Sequence, residues 1–149
     1  MSVVALHPVE IRQAQIQDLP EILGCLKQFY EETPWKVLKP ELDLVYVAEW
    51  LMKLGENSTL FLAVEEGQVV GLCGGTIVDF PMIADLPYLW EWALWVRPEH
   101  RHTGTARRLW GSLTDWAQEY GAKGCVRGAK TEQVSEQHFR ETLQWRWWL

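Results

Sequence analysis

The chain has 149 residues, carrying 14 Lys and Arg against 20 Asp and Glu for a formal charge of −6. That length fits one domain, residues 1–149, with a real core. No run approaches about 18 continuous apolar residues, which excludes a membrane-spanning helix, and the acidic balance disfavours nucleic acid as a partner.

Met1 to Pro8 lacks a basic start followed by a long apolar run, so no signal peptide is expected. Val3 to Leu6 is too short to assign. Val9 to Ala14 alternates and predicts a first strand. Asp18 is placed to cap a helix, with Pro20 in its first turn and Glu21 three residues on. Leu19, Ile22, Leu23, Leu26, Phe29 and Tyr30 form that helix's apolar face. Glu31 to Lys39 reads as a loop. A second helix is expected from Pro40 to about Leu54, with Gly55 ending it. Thr59–Glu65 and Val69–Asp79 read as a hairpin across Glu66-Gly67. Gly71, Gly74 and Gly75 weaken the second of these strands and point to a bulge or a close backbone approach. Phe80 to Tyr88 is a loop, and Leu89 to Val96 is a buried central strand. Ala106 to Tyr120 reads as a helix, Cys125 to Ala129 as a strand, Thr131 to Thr142 as a helix, and Trp145 to Leu149 as at most one short strand.

The joint between the central strand and the helix after it is Arg101-His102-Thr103-Gly104-Thr105-Ala106. A strand, a glycine-containing loop and a helix start together make an anion site, because the first helical amides lack intrahelical partners. Gly104 lets backbone approach a ligand without a Cβ in the way. Arg101, His102, Arg107 and Arg108 put charge around the same point.

The order Leu94-Trp95-Val96-Arg97-Pro98 followed by Arg101-x-x-Gly104-x-Ala106 resembles the acetyl-CoA motif of the GNAT superfamily of N-acetyltransferases. The opening phrase Ile11-Arg12-x-Ala14 with Asp18-Leu19-Pro20-x-Ile22 is a second point of resemblance. The resemblance spans nearly the whole chain. It implies an α/β three-layer sandwich, a mixed central sheet with helices on both faces, here with its C-terminal strands cut short. It implies acetyl-CoA as co-substrate and acetyl transfer to a primary amine by direct attack in a ternary complex. Leu94, Trp95 and Val96 would then offer backbone to the pantetheine arm. The amides of His102, Thr103, Gly104, Thr105, Ala106 and Arg107, beside Arg101, would hold the pyrophosphate. The family uses no metal, and His100, His102 and His138 form no ligand set by spacing.

Acetyl transfer needs a polarised thioester carbonyl, a neutral amine and a protonated leaving thiolate. Glu91 stands ten residues before Arg101, where some GNAT enzymes carry a general base. Among Trp90, Trp92 and Trp95 its pKa should rise by desolvation; the plainer reading is a strand carboxylate paired with a cation or facing solvent. Asp79 and Asp85 are lesser candidates. Phe139 to Trp145 aligns with the family's last-helix pattern, and there Arg140 replaces the usual Tyr. Tyr88 and Tyr120 are substitutes for that acid, Tyr120 being better suited to packing at its helix end. An alternative from another class is a non-catalytic acyl-CoA-binding or protein-interaction domain.

Residues 1–96 hold 14 acids and 5 bases, net −9, and residues 97–149 hold 6 acids and 9 bases, net +3. A basic cofactor pocket beside an acidic surface for a cationic acceptor, either a small molecule or a protein amine, fits this split; acidic solvated faces that aid solubility explain it equally. Cys25, Cys73 and Cys125 form no CxxC pair and read as reduced core residues of a cytosolic protein. Eight of the ten tryptophans lie at or beyond Trp90. Trp145, Trp147 and Trp148 at the end invite a subunit contact, and an edge left by the missing strand leads to the expectation of a homodimer with no membrane partner.

Overall fold

A computed structural model of the chain describes residues 8–149, so Val3 to Leu6 lies outside the described part. Six strands form one sheet in sequence order: β1 (Glu10–Gln13), β2 (Ser58–Glu65), β3 (Gln68–Asp79), β4 (Pro87–Val96), β5 (Gly124–Ser135) and β6 (His138–Trp147). All neighbours are antiparallel except β4 and β5, which run parallel. The helices are α1 (Leu19–Glu31), α2 (Leu44–Met52) and α3 (Thr105–Glu119), with α3 making the β4–β5 crossover.

The sheet is covered on both faces, as a half-buried helix stripe and a two-faced sheet require. Leu109, Leu113 and Ala117 recur every four residues on α3, are fully buried, and pack on Ala63, Cys73 and Leu89. Ile22, Cys25 and Leu26 of α1 pack on Leu62, Leu72, Ala93 and Trp95 on the other side. Each fully buried Leu contributes about 2 kcal/mol. The β2–β3 turn is held by Glu66 and Gly67, both at positive φ (50° and 79°), the combination a two-residue hairpin of matching twist needs.

Several local expectations are corrected. Asp18 does stand at the N-cap of α1, but its carboxylate caps no helical amide. It takes both guanidinium nitrogens of Arg12 at 2.8 Å and the Gln15 amide at 2.7 Å, tying β1 to the helix entry. Glu21 reaches across to accept from the Val69 amide at 2.8 Å. The second helix begins at Leu44 rather than Pro40, because Asp43 is its true cap, with Oδ1 accepting from the Tyr46 amide at 3.0 Å.

The largest correction lies in residues 131–142. Instead of a helix, this segment carries the outer half of β5, a tight turn and the start of β6, paired from Ser135↔His138 down to Gly124↔Trp147. The turn contains neither Gly nor Asn, so the usual hairpin signal is missing; the Ser135 hydroxyl and His138 Nδ1, 2.8 Å apart, close it instead. The last strand thereby runs ten residues where one short strand was expected. Two of the terminal tryptophans, Trp147 and Trp148, also fold inward. Trp147 lies over Gly124, where an added Cβ would meet its ring at 2.4 Å, and Trp148 packs on the α3-side core.

Two features of β4 prepare the site. Its parallel pairing with β5 covers only Leu89↔Cys125 and Trp90↔Val126, after which the strands part. Its pairing with β3 slips where Gly75 faces Glu91 and Gly74 faces Ala93, leaving Trp92 as the extra residue of a bulge. The expected glycine role is thus observed: an added Cβ at Gly74 would sit 2.2 Å from the Trp92 ring.

Candidate active site

The loop after β4 is shaped by two left-handed residues, His102 (φ 65°) and Gly104 (φ 87°). Gly104 is the N-cap of α3 and offers no side chain to its amides. An added Cβ there would meet no atom within 4 Å, so it is the left-handed φ that calls for glycine. The Thr103 hydroxyl donates to the His100 carbonyl at 2.5 Å and lies 2.9 Å from the hydroxyl of Thr105, which is buried. This chain of hydroxyls holds the loop open. Among the described residues, no carbonyl takes a hydrogen bond from the amides of His102 to Arg107. A cradle of free amides with Arg107 and Arg108 beside it suits a phosphate.

Arg101 behaves differently from its neighbours. Its Nε donates to the Val96 carbonyl at 2.8 Å, and one terminal nitrogen donates to both Glu32 oxygens at 2.7 and 2.9 Å. Glu32 also accepts from Trp95 Nε1 at 2.5 Å. The side chain thus straps the loop to the end of α1 rather than pointing into the cradle. Beside this strap a groove of about 470 Å³ runs along β4, lined by Phe29, Leu94, Trp95, Val96 and Ala106. The β4 backbone here is unpaired on the side of β5, because the two strands have already parted.

The groove shares Phe29, Glu32, Thr33 and Leu94 with a second cavity of about 470 Å³, which holds Glu91. The bulge decides the placement of Glu91. Trp92 turns away onto Trp50 (ring centroids 4.8 Å apart) and donates to the Thr76 hydroxyl at 3.1 Å, leaving Glu91 where the strands begin to part. Burial pushes the Glu91 carboxyl up to about 7; Arg127 opposes the shift and Glu141 adds to it. Among the described residues its carboxylate has no hydrogen-bond partner. Trp35 lines this cavity, and its ring meets Phe139 of β6 at 4.8 Å, joining the α1–α2 segment to the hairpin. The Tyr30 hydroxyl gathers the same segment, donating to the Lys39 carbonyl at 2.6 Å.

A third, smaller cavity of about 210 Å³ lies further along β4, walled by Tyr88, Trp90, Leu143 and Trp145. It shares Arg127, Gly128 and Glu141 with the Glu91 cavity. The walls are steadied from behind, where Phe80 and Trp147 stack around Tyr88 and Trp145.

A family model described as the acetyltransferase (GNAT) family matches residues 21–139. The chain belongs to the GNAT acetyltransferase family. Among solved structures it is similar to a ribosomal-protein-alanine N-acetyltransferase from Brucella melitensis (23% identity, 80% of this chain and 78% of that one, TM-score 0.64). It is also similar to an aminoglycoside N-acetyltransferase in complex with CoA (19%, 83% and 78%, TM-score 0.65). A third likeness is to a predicted acetyltransferase with acetyl-CoA from Clostridium acetobutylicum (17%, 79% and 79%, TM-score 0.64). At these identities the likenesses speak for the fold. No curated protein matches the chain.

Against the GNAT expectations, the structure brings Leu94, Trp95 and Val96 to the groove and sets His102 to Arg107 at its end, with Glu91 beyond. Asp79 and Asp85 flank a loop and line none of these cavities. Arg140 does not stand in a last helix, since β6 replaces it; its guanidinium faces Glu132 across the hairpin at 3.4 Å. Tyr120 stacks on Trp116 at the end of α3, and Tyr88 belongs to the third cavity. Cys125 is buried, and burial raises its thiol pKa, which argues against a nucleophile. The residues that sequence reasoning missed, Arg127, Glu141, Leu143 and Trp145, all lie on the β5–β6 hairpin, of which only residues 131–142, with Glu141, differ from the expected helix.

Proposed function

We propose that the chain is an acetyl-CoA-dependent N-acetyltransferase acting on a primary amine by direct attack, with Glu91 as general base. The observation that carries this reading is Glu91, titrating near 7 without a protein partner, in a cavity continuous with the groove that leads from the phosphate cradle. Family membership makes acetyl-CoA the co-substrate. The residues present fit it: free amides from His102 to Arg107 for the pyrophosphate, and unpaired backbone at Leu94, Trp95 and Val96 for the pantetheine arm. When bound, it supplies the thioester carbonyl that the amine attacks. The N–C bond forms, the C–S bond breaks, and the proton lost by nitrogen balances the one the thiolate gains. Glu91 holds the amine's proton, and its raised pKa matches that task near neutral pH. Trp35, packed on Phe139, forms one wall of the cavity.

One observation favours the second reading, an acyl-CoA-binding domain without turnover. Among the described residues the only tyrosine lining the Glu91 cavity is Tyr30, and its hydroxyl is already committed to the Trp35 and Lys39 carbonyls. Thiolate protonation then falls to water. We further infer a homodimer through the outer edge of β6, which light scattering giving the monomer mass would dismiss. The experiment for the main reading is thiol release from acetyl-CoA in an amine panel, alongside thermal unfolding with and without acetyl-CoA. A ligand at a hundred times its Kd stabilises by about 2.7 kcal/mol, several degrees for this size. Stabilisation with amine-dependent release supports an enzyme; stabilisation without release under any amine supports the second reading.

A further inference from the structure

The three cavities follow one another along β4. Val96 lines the first, Leu94 the first and second, Glu91 the second, and Trp90 and Tyr88 the third. If the cofactor occupies the first and its thioester reaches Glu91, an attacking amine can approach from the opposite direction along β4. That direction ends in the third cavity.

The chemistry of the third cavity is specific. Three aromatic rings and Leu143 wall it, and Trp90, Leu143 and Trp145 are each exposed to nearly half of their surface. So much exposed apolar ring surface in one concave place is what an apolar ligand body covers. At the seam between this cavity and that of Glu91 lies the Glu141 carboxylate. It is seated against Gly128, where an added Cβ would meet Oε1 at 3.0 Å. Among the described residues it makes no hydrogen bond and no ion pair. It stands close enough to raise the pKa of Glu91, so two unpartnered carboxylates face one small volume. A cation between them would relieve their repulsion, and aromatic faces add to its attraction.

We propose that the third cavity is the acceptor subsite, and that the acceptor is a primary monoamine on an apolar, aromatic body. Its ring lies against Trp90, Tyr88 and Trp145. Its ammonium is received by Glu141 and passed, on losing a proton to Glu91, to the thioester. Arg127, shared by both cavities, already supplies one positive charge beside the two carboxylates, so they call for a single further one, and the 210 Å³ volume admits one ring with a short arm. This inference rests on the acetyltransferase reading for the chemical step but not for the binding step.

The test separates the two. Titration calorimetry of 2-phenylethylamine into the full chain, with CoA present, is compared with spermidine and with the uncharged 2-phenylethanol. The inference expects the phenyl amine to bind at least about tenfold more tightly than either comparator. Glu141→Gln and Trp90→Ala should each weaken it tenfold or more, with the unfolding midpoint unchanged because both side chains are exposed. Equal binding of spermidine, no binding at millimolar phenylethylamine, or unchanged affinity in both variants would overturn it. Thiol release is read separately. Phenylethylamine that binds as described yet yields no CoA thiol contradicts the acetyltransferase reading and leaves the subsite standing; release with polyamines alone does the reverse.

Discussion

The two ends of β4 are built by different means. At its C-terminal end, Leu94 to Arg107, the site is made of backbone: unpaired strand groups, a left-handed glycine and free helical amides. At its N-terminal end, Tyr88 to Glu91, it is made of side chains that two other strands bring alongside: Arg127 from β5 and Glu141, Leu143 and Trp145 from β6. Backbone sites depend on a short contiguous stretch and tolerate varied side chains. Side-chain pockets depend on which distant strands arrive there, and a change in one connection remakes them. The proposed cofactor end therefore rests on one local stretch, while the proposed acceptor end rests on how distant strands of this chain come together.

That division is open to direct attack. The largest effect is expected from Glu91→Gln, which should lower amine-dependent thiol release at least about 100-fold while keeping acetyl-CoA stabilisation. In the unaltered protein, turnover should rise with pH through about 7, as Glu91 ionises. Gly104→Val should do the opposite, removing stabilisation by acetyl-CoA. A β-branched residue at φ 87° also costs about 1–3 kcal/mol, readable in urea unfolding. Gly74→Leu sharpens the boundary between the ends. It forces Trp92 from its seat and should destabilise by about 2–3 kcal/mol and disturb Glu91, with less effect on the loop.

Stability against pH provides a smaller effect. Between the ordinary carboxyl value of 4.5 and about 7, the folded chain holds a proton on Glu91 that the unfolded chain has released. That contribution is present below 4.5 and lost as pH rises through 7. Glu91→Gln should therefore gain on the parent by roughly 1–3 kcal/mol between pH 4.5 and 8 in denaturant titrations. Asp18 works in the other sense and away from β4. The Arg12 guanidinium holds its carboxyl down to about 2, so its contribution exists above 3.8 and disappears as pH falls to 2. Asp18→Asn should cost about 1 kcal/mol at pH 7 and progressively less as pH falls through 2, leaving both ends of β4 unaffected.

What was legible in the sequence follows the same line. The loop from Arg101 to Ala106, the hairpin at Glu66-Gly67, the α3 stripe and the bulge-forming glycines all rest on local patterns. The raised pKa of Glu91 was also expected, though Trp92 turns onto Trp50 and Trp90 walls the neighbouring cavity. The outer half of the β5–β6 hairpin was not legible. Its turn has no glycine, and its strands are mostly exposed on both faces, so residues 131–142 lack the apolar alternation that marks a half-buried strand. Missing the hairpin hid Glu141 and Trp145, and with them the third cavity. Asp43 was passed over as a cap because Pro40 offered an earlier helix start.

The central claim is that cofactor binding and chemistry are separable along one strand. Titration of acetyl-CoA into the parent, Gly104→Val and Glu91→Gln proteins, with thiol release measured on the same samples, tests it most directly. Gly104→Val is expected to lose binding and turnover together, while Glu91→Gln binds like the parent and does not turn over. Binding lost in Glu91→Gln, or turnover kept in it at pH 8, would contradict the claim.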